Sequence, residues 1–240
     1  MGVRSVLFLI LIIFVFACTS YRLNISPVSE ETYWRQGREC VGLANDEIEI
    51  HVFLERANTA EMAWYVEISN LSDRNIEVIP SKFYYNYWKG LTDTTDRRIY
   101  IRNPESEIQR IEEAKEHETN THLVSSSAEL ACCCFSFLGS IIQTAEGNHE
   151  EAEESRENSH EAMERLREEQ DEHEARVEEL EAEQDYWENV VLRRTTLMVD
   201  ETMSGLIEFS TVRSAERIML NFPINNSLLQ FEYKIEWIEF

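Results

Sequence analysis

Histidine and glutamate side chains lie close together in the second half of the sequence, where they could bind a metal ion. His149, His160 and His173 are each followed directly by a glutamate. A zinc-protease helix requires a second histidine four residues after the first, and none of these three has one. Glu157 and His160 match one ligand pair of a di-iron site, but such a site needs a second pair, which the other predicted helices lack. We therefore predict neither a metal site nor a cofactor.

Five cysteines are the next candidates for reactive side chains. Cys132, Cys133 and Cys134 are consecutive, and adjacent residues of a helix point about 100° apart, so the three cannot close one tetrahedral metal site. Such a run is more typical of small buried side chains. In an oxidising compartment Cys40 could form a disulfide with any of the three, and the spacing does not decide which.

Signatures of nucleophilic catalysis and of nucleotide binding do not occur in the sequence. There is no Gly-x-Ser-x-Gly turn around a nucleophile and no glycine-rich loop for phosphate. We expect no enzymatic activity. The alternative is a secreted or periplasmic enzyme whose site is assembled from scattered residues.

The fifth cysteine, Cys18, follows an apolar segment at the N-terminus. Thirteen residues, 5–17, are rich in Val, Leu, Ile and Phe. This is shorter than the roughly 20 residues of a membrane span, but it is typical of the apolar region of a secretory signal peptide. The Met-Gly start suggests myristoylation, yet that motif requires Ser or Thr at position 6, where this chain has Val6.

The sequence Val15-Phe16-Ala17-Cys18 resembles the cleavage box of bacterial lipoprotein precursors, although Phe16 replaces the usual small residue. The resemblance implies that residues 1–17 are a signal peptide and that Cys18 carries a thioether-linked diacylglycerol. Acyl chains bury CH₂ groups at roughly 0.8 kcal/mol each, enough for permanent anchoring when several chains are present. The alternative is an ordinary signal peptide that leaves Cys18 unmodified.

The residues after Cys18 and the charge of the chain indicate its location and partners. Thr19 and Ser20 follow, without the Asp that retains lipoproteins of this kind at the inner membrane. By that analogy we expect a bacterial cell-envelope protein in the outer membrane, facing the periplasm, with residues 18–39 as a polar tether. A net charge of −24 argues against a nucleic-acid partner.

Alternating polar and apolar residues predict β-strands on both sides of a central helical block. Within Glu47–Arg56, apolar residues at 48, 50, 52 and 54 share one face and polar residues at 47, 49, 51 and 55 the other, and the last strand alternates over residues 229–237. Further strands are predicted at residues 63–69, 76–79, 83–88, 99–101, 194–199, 205–210 and 217–222.

Three helices are predicted between these groups of strands. Asn103 and Pro104 are typical of an N-cap and a first helical residue. Ser126 and Glu129 form a capping box, which predicts that a second helix of about 20 residues begins there. Within it, residues 130–142 carry no charge, and we expect either a buried helix or a patch that contacts a membrane or a partner.

The third helix, predicted at residues 149–192, is strongly acidic. From Glu150 to Glu188 it carries 18 acidic residues and 4 arginines. A strict 3,4 alternation from Met163 to Val191 predicts a coiled-coil seam with three polar interruptions. The helix is more than twice as long as the predicted second one, so we expect its seam to pack on the strands, on another copy or on nothing. Three roles are compatible with this pattern: a solvated helix, a helix that binds a protein or a second copy, or an acidic helix that binds cations.

Strands before and after a helical block predict the α+β class: an immunoglobulin-like antiparallel β-sandwich with an inserted helical hairpin ending in a long acidic helix. The two halves of the sandwich are residues 40–102 and 193–240, and the insertion is residues 103–192. The stretches 66–72 with 76–80, and 193–197 with 205–209, resemble immunoglobulin-like modules of uncharacterised envelope lipoproteins. That resemblance implies the fold and no activity.

We therefore predict a lipid-anchored cell-envelope protein with a binding or structural role. Its membrane attachment is the lipid on Cys18. Its candidate contact with a protein partner or a second copy is the helix at residues 149–191.

Overall fold

The computed structural model describes residues 21–239 except Gln36, Leu91, Thr92, Thr94 and residues 146–148, and it leaves out some side chains, mainly between residues 124 and 155. The predicted signal peptide, residues 1–17, and the predicted lipidation site Cys18 lie outside the described residues. The chain divides into two compact units, a β unit (Met1–Pro104 with Val190–Phe240) and a helical unit (Glu105–Asn189).

The described residues form twelve strands and two long helices. In chain order the strands are β1 (Tyr21–Pro27), β2 (Thr32–Arg35), β3 (Arg38–Ala44), β4 (Ile48–Ala57), β5 (Glu61–Asn70), β6 (Ile76–Val78), β7 (Tyr84–Trp88), β8 (Arg98–Tyr100), β9 (Thr195–Leu197), β10 (Thr202–Ser210), β11 (Arg217–Ile224) and β12 (Ser227–Glu239). The helices are α1 (Pro104–Ala145) and α2 (His149–Asn189), and a 3₁₀ turn covers Pro80–Lys82.

The strands of the β unit form antiparallel sheets in a sandwich-like arrangement. One five-stranded sheet has the order β1-β12-β11-β7-β8, the other has the order β10-β5-β4-β3-β2, and β6 pairs with β9 separately. Aromatic side chains from the two large sheets meet in the core. The rings of Trp64 and Tyr233 lie 4.4 Å apart, and those of Tyr85 and Phe209 lie 5.2 Å apart. The predicted α+β class is confirmed.

Alternation along the chain places the predicted apolar faces inward. Ile48, Ile50 and Val52 of β4 are buried, as are Phe231 and Tyr233 of β12. Successive side chains of a strand point to opposite faces, so each apolar residue at every second position reaches the same core.

The polar tether predicted for residues 18–39 is wrong where the structure describes it. β1 pairs with β12 along its whole length, and β2 pairs with β3. The missed signal is the alternation of Leu23 and Ile25 with Arg22 and Asn24. This alternation lets β1 pack two partly buried apolar side chains against the core while its backbone pairs with β12.

The two helices predicted between Asn103 and Ala145 are one continuous helix, α1. The capping box at Ser126 does not begin a new helix because residues 105–138 contain no Gly or Pro to interrupt the first one. A serine inside a helix costs less than about 0.7 kcal/mol relative to alanine. No helix within the described residues is both long and apolar enough to cross a membrane.

Candidate functional site

Helix α2 packs antiparallel along α1 within the helical unit. Lys115 Nζ lies 3.4 Å from Glu181 Oε1 and 3.3 Å from Gln184 Oε1. Further along the hairpin, the imidazole rings of His122 and His173 stack 4.1 Å apart. The expectation that the α2 seam would find no helix long enough to pack on is therefore wrong, because α1 has 42 residues rather than about 20.

The seam itself follows the prediction near Trp187 and departs from it further away. Trp187 is buried, whereas Gln170 and Met163 are exposed, and Glu169 and Ala162 are half-buried in their place. A straight helix drifts about 20° per heptad from a strict seven-residue repeat. This drift replaces two predicted seam positions, Met163 and Gln170, by the residue before each, while Leu166 and His173 are half-buried as predicted.

An exposed apolar face lies on the C-terminal half of α1. Phe135 is 76% exposed, Leu138 55% and Ile141 51%. Leu123, also exposed, precedes Ile141 by 18 residues, which is five full turns at about 100° per residue. These four side chains, which we call the α1 apolar face, lie within about a third of the helix circumference. The prediction that residues 130–142 form a fully buried helix is thus wrong. The side chains of Cys132, Cys133 and Cys134 lie outside the description.

Charge is divided unequally between the two helices. Residues 119–145 of α1 carry a single acidic residue, Glu129, and no lysine or arginine. Helix α2 therefore carries nearly all the negative charge of the part of the hairpin that contains these residues. The α1 apolar face therefore lies on a nearly uncharged helix beside a strongly acidic one.

A second cluster of reactive side chain types lies on the sheet that contains β2, β3 and β4. The Cys40 thiol donates to Tyr33 Oη over 3.0 Å, and that hydroxyl lies 2.7 Å from His51 Nδ1. His51 Nε2 lies 3.3 Å from Glu49 Oε1. Gly42 pairs with His51 across the sheet and leaves room for the ring, since a Cβ there would lie 2.6 Å from Nδ1. A shallow groove of about 330 Å³ adjoins this cluster.

This cluster is built as a hydrogen-bonded support rather than as a nucleophile. Cys40 is fully buried and is a free thiol. Burial raises the pKa of the Cys40 thiol, which opposes formation of the reactive thiolate. Burial and the bond to Cys40 also raise the pKa of the Tyr33 hydroxyl. The thiol therefore remains protonated and out of reach of a substrate, and it holds the edge strand β2 to β3.

A buried carboxylate that the sequence analysis did not single out lies on β10. Glu208 is 1% exposed and accepts hydrogen bonds from Arg56 Nη2 and, over 3.1 Å, from Arg102 Nη1. Arg56 and Glu208 both lie opposite Ala63 on β5, and this small side chain leaves space for the pair to meet. The available signal was a charged residue within the apolar run of residues 205–209.

His160 and His173, two of the histidines that raised the question of a metal site, lie 13 residues apart on one helix, and the side chain of His149 lies outside the description. His160 is exposed and lies 3.6 Å from Glu164 on the same helix. In the part of the chain that the structure describes, no group of three His, Cys, Asp or Glu side chains is arranged to hold a metal ion.

The described residues thus offer an association surface, the α1 apolar face, and two internally satisfied polar clusters, around Tyr33 and around Glu208. Of the three, the α1 apolar face is the one in which several large apolar side chains, all more than half exposed, lie together. The chain matches no protein-family model, no curated protein and no solved structure.

Proposed function

We propose that this protein is a lipid-anchored structural component of the bacterial cell envelope, in which two copies associate through the α1 apolar face. An immunoglobulin-like sandwich carries the hairpin, and the lipid on Cys18 attaches the chain to the membrane. The observation that carries the proposal is the exposure of Phe135, Leu138 and Ile141, because solvent contact of grouped large apolar side chains marks an interaction site.

The distribution of charge favours a second copy as the partner. Contact through α2 would bring two strongly acidic helices together, which costs free energy by like-charge repulsion. Contact through α1 joins two nearly uncharged surfaces and leaves each α2 away from the interface. The contact thus moves from residues 149–191, where the sequence placed it, to the preceding helix.

The size of the α1 apolar face suits association on a membrane. Complete burial of one large apolar side chain contributes about 1.5–3 kcal/mol. The eight side chains of two copies, each about half covered by the contact, therefore contribute roughly 10 kcal/mol in total. Association in solution costs an estimated 4–15 kcal/mol. The net affinity is modest, and a common anchor would raise the effective concentration of the two copies enough to populate the dimer.

Photo-crosslinking of the full chain in the membranes of a bacterial host tests the association. A photoreactive residue placed at Leu138 is expected to give a covalent dimer. The matched control is the same residue at Met163, an exposed apolar position on α2, which is expected to give none. Adding Phe135→Asp is expected to abolish the dimer. A crosslink from Leu138 to a different protein, or no crosslink at all, would contradict the proposal.

The anchor is tested separately by the intact mass of the mature chain. Acyl chains on an N-terminal Cys18 support the anchor, and Cys18→Ser is expected to remove them and release the protein from the membrane. A free amine at a later residue would refute this part of the proposal. Dimerisation and anchoring can therefore fail independently.

A further inference from the structure

A groove of about 430 Å³ opens at the edge of the β unit, next to the beginning of β1. Arg22 of β1, Arg38 of β3, and Glu55 and Arg56 of β4 line it, together with residues 57–59. Its apolar lining includes Leu23 and Leu54, which also pack against the core. Three arginines and a single glutamate thus line this groove, in a chain whose net charge is −24.

The three arginines are not equally neutralised. Arg38 pairs with Glu55 at 2.8 Å, and Arg56 pairs with Glu61 at 3.3 Å and with Glu208. Arg22 is exposed and takes part in none of the ion pairs among the described side chains. A guanidinium carries five N–H donors in a planar fork that matches carboxylate and phosphate oxygens. Arg22 and the remaining donors of Arg38 are therefore available to an anion.

The core behind the groove contains polar atoms that lack a partner. Trp64 Nε1, Tyr233 Oη and Trp237 Nε1 are buried without a hydrogen-bond partner among the described residues. Leu54 pairs with Trp64 across the sheet, and Leu23 pairs with Trp237. The apolar lining of the groove is thus formed by direct strand neighbours of two residues with unpaired donors.

The place of the groove in the chain relates it to the membrane. Arg22 follows Cys18 by four residues, and a fully extended chain of that length spans at most about 14 Å. Charged lipid headgroups act over a Debye length of about 8 Å at physiological ionic strength. If Cys18 carries the lipid, as the proposed function requires, Arg22 lies within or next to the headgroup layer.

We infer that this groove binds a phosphate group, with Arg22 and Arg38 as its principal ligands. The short distance to the anchor favours the phosphate of a lipid headgroup, and free phosphate is the other source of the same chemistry. Occupation of the groove orients the β unit on the membrane, because it adds a second point of attachment to the lipid anchor. A single arginine near an anionic membrane surface adds little to membrane affinity, so the contact orients the chain rather than holding it there.

Hydrogen–deuterium exchange of the full chain in lipid nanodiscs tests this inference through the amides of the turn at residues 57–60. Nanodiscs of phosphatidylglycerol are compared with nanodiscs of digalactosyldiacylglycerol, a neutral lipid without phosphate. A third sample adds inorganic phosphate to the glycolipid nanodiscs. We expect exchange at the turn to be at least about threefold slower with phosphatidylglycerol. Arg22→Gln combined with Arg38→Gln is expected to remove the effect, while the control Lys82→Gln, an exposed charge elsewhere in the β unit, leaves it unchanged.

Each outcome supports or overturns the inference. Slower exchange with phosphatidylglycerol alone assigns the site to a headgroup, and slower exchange with inorganic phosphate assigns it to phosphate from either source. Equal exchange in all three samples, or protection that survives the double arginine substitution, would overturn it. The inorganic-phosphate sample does not depend on acylation of Cys18, so failure of the proposed anchor and failure of the phosphate site give different results.

Discussion

Replacing Glu208 by glutamine is expected to destabilise the β unit more than any neighbouring charge substitution. The carboxylate is buried, whereas its two partners are not, since Arg56 is 44% and Arg102 35% exposed at the side chain. Glu208→Gln keeps the shape and one acceptor oxygen but removes the negative charge between two guanidinium groups.

The magnitude follows from this unequal burial. Breaking an ion pair in which both charges are buried costs about 3–5 kcal/mol. Here the guanidinium groups stay partly hydrated, and Glu61 remains near both, 3.3 Å from Arg56 Nε and 3.8 Å from Arg102 Nη1. We therefore expect a loss of about 2 kcal/mol, below the range for a fully buried pair.

Urea unfolding followed by tryptophan fluorescence measures this loss, because four of the five tryptophans lie in the β unit. With a urea m-value of about 2 kcal/mol/M, the midpoint should fall by roughly 1 M. The matched control is Glu61→Gln, which removes a carboxylate from the same arginines at a more exposed position and should cost at most about 1 kcal/mol. Equal losses for the two variants would refute the argument that burial of Glu208 sets the strength of the cluster.

Three further predictions concern single contacts. Gly205→Ala is expected to lower the free energy of unfolding by about 1–3 kcal/mol in the same urea assay, because a Cβ there would lie 3.0 Å from a backbone carbonyl oxygen that cannot move aside cheaply; a neutral effect would contradict this. Arg35→Gln is expected to cost roughly 1 kcal/mol at pH 7 by removing a bidentate pair, both bonds 2.8 Å, with Glu67. Hydrogen bonding to Arg35 lowers the pKa of Glu67, so this stabilisation is present above the usual carboxyl pKa and is lost as the pH falls through the folded-state pKa; a difference between variant and parent that persists at pH 2 would be inconsistent with this assignment. Cys40 is expected to resist N-ethylmaleimide at pH 8 until urea is added, as followed by peptide mass spectrometry, because the thiol is buried and its pKa is raised.

Strand positions and their buried faces were predictable from the sequence. The alternation of residues 48–54 and 229–237 gave strands whose apolar sides form the core. This two-residue period can be seen in a short stretch of sequence, because successive side chains of a strand point to opposite faces of the sheet. The edge strand β1 escaped prediction because only Leu23 and Ile25 carry its signal, and a strand that short depends on its neighbour β12 for its hydrogen bonds.

The course of the helices depended on packing that the sequence does not display. A capping box at Ser126 is compatible both with a helix start and with a helix interior. Because α1 packs along α2 and no helix-breaking residue lies between Pro104 and Ser126, Ser126 lies in a helix interior. The phase of the α2 seam likewise follows the twist of the actual helix, which moves the half-buried positions from Met163 and Gln170 to Ala162 and Glu169.

The polar clusters were beyond the reach of sequence reasoning. Tyr33 and His51 are 18 residues apart, and Arg56 and Glu208 are 152 apart. They meet because strand register places them on the same face of one sheet. The sequence by itself determined the class of the fold, the strongest strands and the acidity of one helix, since these depend on local pattern and composition. Only the tertiary structure decided which side chains meet and which apolar face remains exposed, because both depend on the pairing of distant segments.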